Sequence, residues 1–291
     1  MANYYKPSGK FSPVSFIYFT IFSLIILPLL GLIYAYCIWY IPFPYINFLI
    51  TAGFGFLIGL LISVFVIGKG KVRNPLIALA LGFFGGLIGL YFQWAVWVDL
   101  VINAGESYGN SRIGVTVSNI KILDVFALAL DPVTLFKLIG EINQYGTWGI
   151  RDLTPSGTFL YVIWGIEFLV VVVIAAFLPR VKAKQPFCEK NNEWFEEKEL
   201  QPFNYITGGA KMKIALEKGD NTVFDSITKA NSTEADHSIF TLYTSKHNEN
   251  YLTIENKKAK TDSKGKTTIE SNEIVEYISI NSTLKEVLIA S

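Results

Sequence analysis

Four long apolar stretches fill most of the first 178 residues of the chain. A helix needs about 20 apolar residues to cross the roughly 30 Å of hydrocarbon in a bilayer, and each stretch is at least that long. The pattern predicts a membrane all-α four-helix transmembrane bundle. Its predicted spans cover residues 14–40, 45–67, 75–98 and 159–178.

Three prolines lie in or directly beside these spans. Pro28 removes a backbone donor inside the first span and predicts a kink there. Pro75 suits the first turn of the third helix, and Pro179 is predicted to end the fourth. No small-residue cleavage pattern follows the first span, so we interpret it as a retained helix, not a removed signal.

The hydrophobic pattern changes after residue 178, where charged residues become frequent and apolar residues alternate with polar ones. Alternation is typical of half-buried strands. It predicts a small soluble α+β cytoplasmic domain over 179–291, separate from a cytoplasmic N-terminal segment over 1–13. The predicted elements are a helix over 210–218, a β-hairpin of 237–244 and 251–255, a solvated lysine-rich loop over 257–266, a strand over 273–280, and a strand or tail over 284–290.

The connection over residues 99–158 is too long for a turn. Within it, Asp131 suits an N-cap, Pro132 a first helical residue and Gly146 the position after a helix end, which predicts a helix over 132–145. The preceding stretch, 120–130, is too short and too charged for a fifth span. It can lie in the membrane interface or cap the bundle, and a structural lid or a ligand- or partner-binding loop are both open.

Basic residues gather beside one end of the predicted spans. They precede the first span, separate the second from the third, and follow the fourth. The positive-inside rule then predicts that both termini are cytoplasmic. Frequent Ile, Phe, Tyr, Asn and Lys are typical of an AT-rich genome, and we expect a bacterial cytoplasmic (inner) membrane. The basic residues concerned are Lys6, Lys10, Lys69, Lys71, Arg73, Arg180, Lys182 and Lys184.

The composition indicates little chemistry. A net charge of +1 provides no field that would attract nucleic acid. Cys37 and Cys188 cannot by themselves build a disulfide framework or a zinc site, and His237 and His247 are expected on the surface. The sequence contains no phosphate-loop, zinc-protease, nucleophile-elbow or kinase motif. We therefore expect no enzymatic activity, no cofactor and no metal.

Glu167 is the one acidic residue well inside a predicted span, about nine residues or roughly 13 Å from its outer end. An ionisable group there is costly unless it is paired, wetted or neutral. Its possible polar neighbours are Tyr91, Gln93, Tyr34 and Thr51. Three roles are open: a structural hydrogen bond that fixes helix packing, a contact between subunits or with a partner, and a cation or proton site.

The second and third spans are rich in glycine at spacings of four residues, which align small residues on one helix face. Such faces let helix backbones approach closely. We expect packing of these two spans as a hairpin, with self-association as the alternative. The helix-packing glycines are Gly55, Gly59, Gly82, Gly86 and Gly89, with Gly85 paired to Gly89.

These patterns favour an integral membrane protein without enzymatic activity, in which the bundle anchors a small cytoplasmic domain as a scaffold, sensor or complex subunit. The alternative is a small oligomeric channel or carrier with Glu167 as a cation or proton site. The expected partners are the lipid bilayer and either further copies of this chain or other membrane proteins, with no nucleic acid.

Overall fold

The computed structural model describes residues 4–41, 43–109, 114–146, 154–224, 227–230, 236–261 and 267–290. The chain forms two compact units. The bundle unit is Ser8–Lys184, and the sheet unit combines Met1–Pro7 with Gln185–Ser291. The boundary thus falls at Gln185 instead of residue 179, and the first seven residues belong with the C-terminal part of the chain.

Within the described residues, six α-helices form the bundle unit. They are α1 (Val14–Tyr40), α2 (Pro44–Leu61), α3 (Pro75–Ile102), α4 (Ile122–Leu130), α5 (Pro132–Tyr145) and α6 (Gly157–Lys184). A π-helical segment, Ile62–Gly68, prolongs α2. Helices α1, prolonged α2, α3 and α6 are long and apolar enough to cross a membrane. We call the end of the bundle where α1 ends and α6 begins the loop end.

Local signals set the start of α3. The Asn74 Oδ1 atom accepts hydrogen bonds from the backbone N–H groups of Leu76 and Ile77 at 3.0 and 3.2 Å. Pro75 takes the first helical position, where a missing N–H costs nothing. Helix α3 then continues to Ile102, beyond the predicted end at residue 98.

The end of the fourth span differs from the prediction. Pro179 does not stop α6, which runs through it to Lys184. A proline inside a helix removes one backbone hydrogen bond and crowds the preceding turn. Because Pro179 is itself buried, its packing offsets part of that cost.

Helix α6 packs against both α2 and α3, while α1 packs mainly against α3. Glycines make the α6 contacts possible. A Cβ atom at Gly55 would lie 2.9 Å from the backbone of Val171, and one at Gly82 would overlap the backbone of Ala175 and lie 2.8 Å from Ala176. The helix backbones therefore approach closely along α6, as small residues permit.

The other predicted packing glycines divide between two neighbours. Gly59 and Gly86 also face α6, whereas Gly85 and Gly89 receive isoleucine side chains of the second span. The second and third spans therefore do use one glycine face for each other, but their remaining glycine pairs serve α6. The spacing of glycines within the second and third spans cannot reveal that α6 is the helix they contact.

Between α3 and α4 the chain forms a two-stranded hairpin of β1 (Ser107–Gly109) and β2 (Gly114–Thr116). Aromatic side chains of α1 hold it: Trp39 Nε1 donates to the Thr116 carbonyl at 2.8 Å, and the Tyr40 hydroxyl donates to the Ser118 carbonyl at 2.6 Å. Residues 116–118 are therefore fixed to the loop end of the bundle.

The sheet unit begins with a short hairpin of β3 (Phe187–Cys188) and β4 (Glu193–Trp194). Its main antiparallel sheet has the order β5-β7-β8-β9, with β6 also paired to β7. These strands are β5 (Glu196–Glu199), β6 (Phe203–Asn204), β7 (His237–Thr244), β8 (Asn250–Thr261) and β9 (Thr267–Ile280).

Two short helices, α7 (Gly209–Glu217) and α8 (Ser282–Ala290), complete the sheet unit. Their apolar side chains and those of the strands share one core. Phe240 of β7 is fully buried there, with its ring centroid 4.6 Å from that of Phe203. The other core members include Met212, Leu216, Leu252, Ile254, Val275, Ile278, Leu284 and Leu288.

Two predictions for the sheet unit are wrong. Residues 284–290 form part of α8 instead of a strand or tail, because Asn281 Oδ1 accepts from the Leu284 N–H at 2.8 Å and caps the helix. In the lysine-rich stretch, residues 257–261 continue β8 instead of forming a loop, and residues 262–266 lie outside the described residues. Cross-strand pairs such as Lys260 with Glu270, at 2.7 Å, satisfy its charges.

Candidate functional site

An aromatic cluster marks one level of the bundle near its loop end. The Trp164 ring of α6 meets the rings of Trp94 and Trp97 of α3 edge-on, with centroids 4.8 and 6.0 Å apart. Tyr161 lies against Trp164 at 5.7 Å. Trp and Tyr are enriched where membrane spans meet the headgroup region, so we expect a bilayer around the bundle to have its interface near this level.

Glu167 lies one helical turn from the aromatic cluster, toward the middle of α6. It follows Trp164 by three residues, which is about 4.5 Å along the axis. Its side chain is half-buried. The sequence-based depth of roughly 13 Å from the outer end of its span stays a prediction.

A buried hydrogen-bond chain links α1 to α2. The Tyr34 hydroxyl is 2.8 Å from Thr51 Oγ1, and Thr51 donates to the Asn47 carbonyl at 2.9 Å. Because Thr51 has one hydroxyl proton, Tyr34 donates to Thr51 and its oxygen remains free to accept. Glu167 of α6 is close enough to Tyr34 for the two groups to interact electrostatically.

The structure brings together some predicted neighbours of Glu167 but not all. Tyr34 and Thr51 form the chain just described. The Tyr91 hydroxyl instead donates to the Ala129 carbonyl at 2.9 Å. Gln93 is buried at 6% exposure where α3 passes α1. The sequence could not separate these cases, since depth along a helix says nothing about the direction of a side chain.

Sequence reasoning missed the structural part played by Asp99 at the loop end. Its carboxylate is 1% exposed. One oxygen accepts from the Lys121 N–H at 2.8 Å and the other from the Asn103 amide at 3.0 Å. A buried carboxylate with its oxygens satisfied in this way fixes the start of α4 against the end of α3.

The sheet unit contains a strained residue at the point where the N-terminal segment pairs with it. Tyr277 of β9 has φ +51°, a conformation that bulky residues rarely adopt. The Tyr277 carbonyl accepts from the Tyr5 N–H at 2.9 Å, and Tyr4 forms an antiparallel bridge with Ile278. Strain of about 1–3 kcal/mol persists only where surrounding contacts impose it.

Tyrosine rings surround that strained residue. Tyr5 lies edge-on to Tyr277 at 6.3 Å and to Tyr251 at 5.5 Å, and Tyr243 lies 5.1 Å from Tyr277. Burial raises the pKa values of Tyr243 and Tyr277 far above their usual range, with nearby Glu197 acting in the same direction. These hydroxyls therefore stay protonated at physiological pH and serve as hydrogen-bonding groups.

Other features of the described sheet unit indicate no particular chemistry. A groove of about 470 Å³ beside the start of α7 is lined by both polar and apolar residues, including Asn204, Thr207, Lys211 and Met212. His237 is buried at 3% exposure, so its predicted surface position is wrong. The described residues contain no group of three or more His, Cys, Asp or Glu side chains placed to hold a metal ion.

The fold and this site define a class: a chain with four helices able to span a membrane and a C-terminal sheet-containing unit. Comparison with known proteins goes no further. No protein-family model, no curated protein and no solved structure matches the chain.

Proposed function

We propose that this protein is a non-enzymatic membrane adaptor, acting as a scaffold, sensor or complex subunit. Its four-helix bundle crosses a bacterial inner membrane, and the sheet unit lies in the cytoplasm. The observation that carries the proposal is the pairing of Tyr4 and Tyr5 with β9. Both ends of the chain therefore enter one folded unit.

This pairing supports the proposed topology. Residues 4–5 and 185–291 belong to one compact unit, so they lie on the same side of any membrane that the bundle crosses. An even number of spans satisfies that requirement, and the structure has four candidates. The basic residues near the same helix ends favour the cytoplasmic side.

The pairing also supports a sensing or coupling role. The sheet unit is joined covalently to the start of α1 through residue 7 and to the end of α6 through residue 185. A displacement of α1 relative to α6 would pull on the bridge that Tyr4 and Tyr5 form with β9. A two-ended connection can thus transmit a change in the bundle to the sheet unit.

A single substitution tests this role. Tyr5→Pro removes the N–H that bonds Tyr277, and we expect at least tenfold less partner protein to co-purify with the full chain in nanodiscs. Tyr5→Phe is the matched control, since it keeps the N–H and the ring. Native mass measurement of the wild-type complex should show a fixed stoichiometry with another protein. A homo-oligomer without partner, or substrate turnover by the chain alone, would contradict the adaptor role.

The N-terminal contact should also depend on pH. Burial and the hydrogen bond from the Tyr4 hydroxyl to Glu217, 2.7 Å long, raise the pKa of Tyr4 to about 12. A raised folded-state pKa gives stability that is complete below pH about 10 and is lost as pH rises through about 12. We expect hydrogen exchange of the Tyr5 amide to accelerate over this window beyond its intrinsic pH dependence. In Tyr4→Phe the additional acceleration should be absent.

A second candidate function has its own observation. The Tyr34–Thr51–Asn47 chain runs beside half-buried Glu167, as a cation or proton site in a small oligomeric channel or carrier would require. If this function is correct, Glu167→Gln abolishes proton or cation flux into proteoliposomes while expression is unchanged. Glu141→Gln, at an exposed glutamate of α5, is the control. Wild-type flux in both Glu167→Gln and Glu167→Leu would exclude this function.

A further inference from the structure

Helix α4 does not lie across the end of the bundle but runs back along α3. Its first neighbour is Asp99, which binds the Lys121 N–H. Further along, the Phe126 ring lies 6.1 Å from that of Phe92, and the Ala129 carbonyl accepts from Tyr91. The contacts thus move from residue 99 to residue 91 of α3, about 12 Å toward the middle of the helix.

Helix α5 returns toward the loop end. Near its start, the Phe136 ring faces Tyr91 with centroids 6.3 Å apart. One turn later, a Cβ at Gly140 would lie 3.7 Å from the Tyr161 hydroxyl, which belongs to the aromatic cluster. Helices α4 and α5 therefore form a hairpin whose tip, residues 130–133, reaches past the level of Trp94 and Trp164.

The hairpin exposes many large apolar side chains, although Asp124, Asp131, Lys137 and Glu141 are exposed as well. One side is buried against the bundle through Val125, Leu128, Leu135 and Ile139. Four large apolar side chains from α4 to the tip are between 55% and 84% exposed, and Phe126 and Phe136, which contact α3, remain 49% and 62% exposed; the four are Ile122, Leu123, Leu130 and Val133. Leaving a large apolar side chain in water instead of burying it is unfavourable.

This surface continues the lipid-facing surface of α3. In its inner part, α3 exposes Phe83 and Phe84, but residues 91–100 carry no exposed side chain. The hairpin covers α3 along that stretch and presents its own apolar side chains outward instead. At the tip, the carboxylate of Asp131 accepts from the N–H and the hydroxyl of Thr134 at 3.1 and 2.7 Å, which reduces the cost of removing it from water.

We propose that α4 and α5 form a re-entrant hairpin that dips into the leaflet at the loop end, with its outward face covered by lipid acyl chains. The polar side of α5, with Lys137 and Glu141, lies nearer the headgroups than the tip does. This inference rests on the bundle crossing a bilayer, but not on the adaptor role or on transport. The loop is then a membrane-bound element instead of a lid in water.

Quenching by spin-labelled lipid tests the proposal on the full chain. Cys37→Ser and Cys188→Ala provide a cysteine-free parent, and a fluorophore is attached to single cysteines at Leu123, Leu130 or Val133. The labelled proteins are placed in phosphatidylcholine nanodiscs that contain doxyl-labelled phosphatidylcholine. Phe84→Cys on the exposed face of α3 is the lipid-contact reference, and Ile269→Cys in the sheet unit is the water-exposed reference.

We expect labels at residues 130 and 133 to be quenched by doxyl lipid as strongly as at residue 84, and to resist iodide in water. Labels at Lys137 and Glu141, on the polar side of the same hairpin, should be quenched by iodide. Quenching of positions 130 and 133 by iodide, as at 269, would place the hairpin in water and overturn the proposal. Protection from both quenchers would also overturn it, because protein would then cover the face; native mass measurement would show whether a second copy or another partner does so.

Discussion

Replacing Gly82 by alanine should destabilise the bundle by about 1–3 kcal/mol, because the added methyl group overpacks a close helix contact. The new Cβ would overlap the backbone of Ala175 and lie 2.8 Å from the Cα of Ala176. Backbone atoms cannot rotate away as a side chain can, so α6 has to shift. Gly55→Ala should act in the same direction, since its Cβ would meet the backbone of Val171 at 2.9 Å.

Two other glycines supply controls, one in α2, which also contains Gly55, and one in α6. A Cβ atom at Gly53 of α2 or Gly165 of α6 would find no atom within 4 Å. Alanine there should leave stability unchanged or raise it by up to about 1 kcal/mol, through its better helix propensity. Denaturant titration of each variant in the same detergent gives the comparison. Equal stabilities of Gly82→Ala and Gly53→Ala would show that the contact with α6 is looser than described.

Replacing Phe240 by alanine should cost the sheet unit about 3–5 kcal/mol, which approaches the whole stability of a small domain. Phe240 is fully buried on the central strand β7, between the rings of Phe203 and Phe224 at 4.6 and 6.1 Å. The substitution would leave a cavity where the phenyl ring was. The surrounding helices and strands cannot all move inward, so most of this cavity would remain empty.

The measurement is urea unfolding followed by near-ultraviolet circular dichroism of the aromatic residues in the full chain. Ile269→Ala is the control, because Ile269 is a large apolar residue of the same sheet that is 58% exposed. Its loss should change stability by less than about 0.5 kcal/mol. A small effect at Phe240 would mean that the core around β7 repacks readily, contrary to the shared cluster described above.

The transmembrane helices were predictable because their signal is local. Length and hydropathy identify each span, and the residues around Asn74 and Asp131 carry the capping chemistry that starts α3 and α5. Where the prediction failed at Pro179, the deciding factor was burial against neighbouring helices. That factor depends on the tertiary structure, and no local pattern contains it.

Contacts between distant residues could not be read from the sequence. The segment of Tyr4 and Tyr5 pairs with residues more than 270 positions away, and its composition does not indicate which residues these are. The hairpin of α4 and α5 could be predicted only in part. The sequence predicts a helix over 132–145 and allows an interfacial position for 120–130, but only the contacts with Tyr91 show that α4 runs back along α3.

Glu167 illustrates both what the sequence predicts and what only the tertiary structure shows. Its presence in an apolar helix is a strong local signal, and it led to the hydrogen-bond chain of Tyr34 and Thr51. Its depth in a membrane stays a prediction, because the ring contacts of Trp164 fix the position of α6 against α3 and not the position of a bilayer.

The pairing of Tyr5 with Tyr277 has a consequence for synthesis. A ribosome adds about 5–20 residues per second, so roughly 14–55 s separate the appearance of these two residues. The spans enter the membrane during that interval, while the first strand has no partner. The pairing of Tyr4 and Tyr5 with β9 then joins two distant parts of the chain. A chain that ends before residue 277 cannot form this pairing.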